Sequence, residues 1–99
     1  MPPNSFDLEE VRRIVNAGLR GHPARVYLFG SWAKGCPSRT SDIDVAVLPL
    51  TPLPESLLSE IRQTLEDSLV VYPVDLVDLS EASLGFRDRI LSEGVLWNG

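Results

Sequence analysis

Ninety-nine residues with nine Lys plus Arg against fourteen Asp plus Glu carry a net charge of -5, which argues against a general nucleic-acid binder with a basic contact face. A composition 43% hydrophobic and 23% charged is that of a soluble globular protein with one domain over residues 1–99, whose small core leaves room for a homo-oligomer or partner to add burial. No apolar stretch approaches the length of a membrane span, no signal-peptide pattern opens the chain, and the lone Cys36 permits no intrachain disulfide, so a reducing, cytoplasmic setting is expected.

Residues 5–20 read as an amphipathic helix. Leu8, Val11, Val15 and Leu19 recur at helical spacing. Asn4 or Ser5 can cap it, and Asp7, Glu9 and Glu10 suit its positive N-terminal end. Gly18, Gly21 and Pro23 mark the exit, with His22 as a turn residue. Residues 25–29 form a short buried strand that ends in Gly30-Ser31. A short helical turn is expected over 31–34, then a loop over 35–41 rich in Gly, Pro, Ser and Thr, in which Cys36 is a loop thiol. Residues 42–48 form the second strand.

Thr51-Pro-Leu-Pro54 breaks the chain, and a helix is expected from there to about Val70. Its stripe of Leu57, Ile61, Leu65 and Leu69 faces the core. Pro73 opens a third strand over 74–79. Ser80 is expected to cap a last helix, with Glu81 in its first turn, Leu84, Ile90 and Leu91 on its apolar side and Gly94 at its end. Residues 95–97 can close the sheet as a short strand. Strands alternating with helices imply an α/β (α+β) domain, a small sheet with helices packed against it. The link between the first two strands is too short for a standard crossover helix, so the sheet is expected to be mixed.

The chemistry concentrates between Gly30 and Asp44. A glycine at a strand end lets the backbone approach a ligand closely. Ser31 adds a hydroxyl and an N–H where anions bind well, and Lys34 can bring a positive charge to phosphate. Asp42 and Asp44 are two apart on a strand and so share a face. Two carboxylates side by side repel unless a cation lies between them. Asp75 supplies a third carboxylate on the third strand. Flanked by strand formers, it reads as a buried aspartate that a shared cation would satisfy. Hard oxygen ligands favour Mg²⁺ or Mn²⁺ over zinc. Two such ions about 4 Å apart can activate an attacking oxygen and stabilise a leaving pyrophosphate. Tyr27 and Phe29 are read as core residues, Trp32 as packing under the loop with stacking on a base as the alternative, Arg39 as a solvated charge, and Arg87 and Arg89 as a solvated helix face that can also meet a partner.

Gly30-Ser31, Asp42-Ile43-Asp44 and Asp75 together resemble the signature of the DNA polymerase β nucleotidyltransferase superfamily. The length and the ending Arg89-Ile-Leu-Ser-Glu-Gly-Val-Leu-Trp97 resemble its minimal nucleotidyltransferase branch. The resemblance implies a polymerase-β-like fold, with Gly30 and Ser31 as the phosphate-binding turn and Asp42, Asp44 and Asp75 as catalytic metal ligands. It implies Mg²⁺ and ATP as cofactor and donor, and a small helical HEPN toxin as partner. The expected activity is transfer of AMP, or another NMP, to a hydroxyl of that toxin by its antitoxin. Two other readings stay open: neutralisation by binding alone, and transfer to a small-molecule hydroxyl. The extra helical domain that holds such an acceptor in antibiotic-modifying or polymerase relatives is absent from these residues.

Overall fold

Two runs of β-formers separated by the Gly-Ser turn pair with each other at the centre of the sheet. In the computed structural model, which describes residues 5–33 and 42–97, β1 (Ala24–Phe29) lies antiparallel to β2 (Ile43–Pro49), with Phe29 opposite Asp44. β3 (Val74–Asp78) runs parallel to β2, and β4 (Val95–Leu96) runs antiparallel to β1. The four-stranded order is β3-β2-β1-β4, so the expected mixed sheet is present. Asn4, the loop over 35–41 with Cys36 and Arg39, and Lys34 lie outside the described residues.

Strand alternation sorts the sheet into two faces. Val26, Leu28, Ile43, Val45, Val47 and Leu76 turn to one face, where α1 (Ser5–Gly18) and α2 (Leu57–Glu66) cover them. Val11, Ile14 and Val15 come from α1; Leu58, Ile61 and Leu65 come from α2. Tyr27 and Ala46 turn to the other face, against Leu79 and Ile90, under α3 (Leu84–Glu93). This second cover is a single helix. It shields the middle of the sheet and leaves the row beside it, Phe29–Asp44–Asp75, at its margin.

Several boundaries differ from the sequence expectation: α1 stops at Gly18, two residues early, and α2 starts at Leu57, after the proline-containing segment. α2 ends at Glu66, and Leu69 is 79% exposed. Ser68 explains the stop: its hydroxyl donates to the Leu65 carbonyl and accepts from the Val70 N–H, which turns the chain out of the helix. Ser83, not Ser80, caps α3, accepting from the Phe86 N–H. Ser80 is held instead by Asp78, whose carboxylate accepts from both its N–H and its hydroxyl, a short-range turn that competes with helix initiation. On α3 only Ile90 is buried; Leu84 and Leu91 are exposed. Ser31–Ala33 form turns, not a helix, within the described residues.

Candidate active site

The end of β1 and the starts of β2 and β3 meet at one edge of the sheet. Gly30 has φ +76°, a conformation that L side chains rarely adopt. A Cβ at this position would collide with the Asp44 carboxylate oxygen Oδ2. The Gly-Ser bend therefore lies directly against Asp44, an approach that a side chain at position 30 would strain. Trp32, next in the bend, is buried and meets Tyr72 edge-to-face with ring centroids 5.0 Å apart. That contact anchors the bend to the segment leading into β3, so Trp32 has the packing role expected of it.

Asp44 and Asp75 are direct partners across the parallel ladder. Both share the α3 face with Ala46 and Val77, two residues further along their strands. Asp42 precedes β2 by one residue and is exposed. The Asp44 carboxyl is pushed above its ordinary range, first by desolvation, then by the charge of Asp75, then by that of Asp42. Asp42, just before β2 and not on the strand as expected, Asp44 on β2 and Asp75 on β3 thus share one electrostatic site. Among the described residues, no three Asp, Glu, His or Cys side chains stand close enough together to cage an ion as they are. A cation would have to draw these like charges inward. The donor set is hard oxygen throughout, and its repulsion is what a divalent cation relieves, so the residues fit Mg²⁺ better than zinc.

Asp75 departs from expectation in one respect: it is exposed, not buried. β3 is an edge strand, and α3 covers the sheet only as far as Val77 and Leu79. A buried charge therefore gives no reason for an aspartate here; its register opposite Asp44 does. Ser31 is half-buried in the bend, and Lys34 lies outside the described residues. Sequence reasoning missed two side chains near this edge. Phe29, read as core, is only half-buried and lies beside Asp44 in the register. Phe86 of α3 meets it edge-to-face at 5.9 Å. Strand periodicity could have put Phe29 on Asp44's face only if the register had been known.

Residues 14–97 match the family described as polymerase beta, nucleotidyltransferase. The protein adenylyltransferase MntA of Shewanella oneidensis is 41% identical over 73 residues, which are 73% of this chain and 52% of that protein. A chain in a crystal structure described as the toxin–antitoxin with AMP-PNP superposes with TM-score 0.69 at 34% identity, over 89% of this chain and 73% of that one. A chain in the complex of tri-AMPylated Shewanella oneidensis HEPN toxin with MNT antitoxin superposes with TM-score 0.68 at 28% identity, over 95% of this chain and 71% of that one. The chain spans about half the length of the curated relatives it matches.

Proposed function

We propose, since this chain belongs to the polymerase beta nucleotidyltransferase family, that it moves AMP from ATP onto a hydroxyl of a HEPN-type toxin and so serves as that toxin's antitoxin. One observation carries the reading: Gly30 at positive φ presses the phosphate-binding bend against Asp44, which lies in register with Asp75. Asp42, Asp44 and Asp75 would hold Mg²⁺, which when bound neutralises phosphate charge and favours departure of pyrophosphate.

The chain's own groups do the rest. Gly30 lets the backbone come close to phosphate, and Ser31 offers its hydroxyl and N–H there, with Lys34 as an added cation. Asp75 is an acceptor for the attacking hydroxyl's proton. Its exposure on an edge strand leaves it within reach of a hydroxyl carried by another macromolecule. Positioning and charge compensation supply most of the acceleration in phosphoryl transfer.

The test is incubation with labelled ATP, Mg²⁺ and the protein encoded by the adjacent reading frame, followed by mass spectrometry. The expected result is AMP on the partner, absent with Asp42→Asn or Asp44→Asn. Neutralisation of the partner that persists in both variants, with no mass gain in the wild type, would instead make this a binding antitoxin.

A further inference from the structure

A cleft of about 190 Å³ opens between the Gly30 bend and α3, walled by Phe29, Ala33 and Phe86, with Arg89 and Glu93 at its rim. From its position we infer that this cleft takes the base of the nucleoside triphosphate, an inference that rests on the phosphate-binding role proposed for Gly30 and Ser31. Four observations support it. The cleft includes Gly30 itself, so it adjoins the bend proposed to hold phosphate. Its floor is aromatic: Phe29 and Phe86 are both half-buried and meet at 85°, so the pair presents ring surface to the cleft. Aromatic walls favour stacking of a base regardless of its identity.

The rim is polar. Arg89 and Glu93 are largely exposed and 3.8 Å apart, too far for a tight hydrogen bond, and their groups remain available to sugar hydroxyls. An apolar floor with a polar rim matches a nucleoside, which has a flat base and a hydroxylated sugar. Size agrees too. Ligand pockets for whole drug-sized molecules run to about 300–1,000 Å³, so this cleft suits a base better than an entire nucleotide.

Several roomier clefts lie elsewhere among the described residues, none of them lined by Gly30, and two of these flank the sheet. One, of about 630 Å³, is bounded by Pro49 and Asp78 at the far ends of β2 and β3, about 17 Å of strand from the Gly30 edge. The other, of about 430 Å³, lies along α2 between Arg62 and Val74, on the side of the sheet away from α3. Neither includes Gly30 or Phe29.

Calorimetric titration of ATP and of inorganic tripolyphosphate, each with Mg²⁺, separates base from phosphate recognition. In the wild type, ATP is expected to bind more tightly than tripolyphosphate. Phe86→Ala is expected to weaken ATP by about tenfold and leave tripolyphosphate unchanged. Phe86→Leu, which keeps an apolar side chain in the α3 contact, is expected to show most of the same loss with an unchanged melting temperature. Unchanged ATP affinity in Phe86→Leu, or equal weakening of both ligands, would overturn the inference. So would a wild type that holds tripolyphosphate as tightly as ATP, with the phosphate-bend reading intact. A wild type that retains neither ligand refutes that reading and this inference together.

Discussion

Asp44 is where fold and chemistry pull against each other. Desolvation, Asp75 and Asp42 all raise its proton affinity, so its charged form disfavours the metal-free fold at neutral pH. A carboxyl with a raised folded-state pKa contributes stability that is present at low pH and lost as pH rises through that value. Asp44→Asn, which mimics the protonated form, is therefore expected to melt at or above the wild-type temperature at pH 7 in chelator. That advantage should shrink as pH falls below the raised pKa, where the wild-type carboxyl is itself neutral. Paired thermal melts across pH check both statements, and a variant that melts lower at pH 7 would mark Asp44 as a structural residue. Gly30 makes the complementary point. Gly30→Ala meets both a left-handed backbone, at a cost of about 1–2 kcal/mol, and the Asp44 carboxylate. It should lower the melting temperature and abolish AMP transfer, whereas Asp44→Asn should abolish transfer alone.

At the scale of elements, α1 and α2 meet where Gly18 faces Ile61. A Cβ on Gly18 would stand 2.8 Å from Ile61 Cδ1, inside ordinary contact, and Ile61 is buried. Alanine is the better helix former, so on an open surface Gly18→Ala would stabilise. Here overpacking is expected to win, with a net loss of about 1–3 kcal/mol readable by urea denaturation. The free side of β3 is guarded by Arg62, whose Nη2 donates to the Leu76 carbonyl at 2.8 Å. Arg62→Ala leaves that carbonyl to water or another strand. It is expected to cost about 1 kcal/mol and to raise concentration-dependent association, measured by light scattering. Element order was legible because helical and strand periods differ plainly in this sequence, and the short link between β1 and β2 pointed to a mixed sheet. The ends of α2 and the start of α3 were not, because Ser68, Ser80 and Asp78 decide them through side-chain hydrogen bonds that periodicity does not carry. The nearness of Asp42 to Asp44 follows from their spacing; the exposure of Asp75 was not legible, since an edge strand exposes a residue whose neighbours look buried.

Across the whole molecule, burial and function divide the sheet. One face is sealed by two helices and carries most of the core; the other is half-covered by α3 and leaves an acidic margin beside an aromatic cleft. The net charge of -5 accords with a basic protein partner. Among the described residues, no helix is long and apolar enough to cross a membrane. On the proposed function, the carboxylates of Asp42, Asp44 and Asp75 act together, through a divalent cation, to hold a triphosphate at the Gly30-Ser31 bend. Equilibrium binding of ATP with Mg²⁺ or with chelator, to the wild type and to Asp42→Asn, Asp44→Asn and Asp75→Asn, tests it directly. Binding is expected to require Mg²⁺ and to be lost in each variant. ATP retained equally in chelator, or undiminished in the three variants, would rule out this shared cation site.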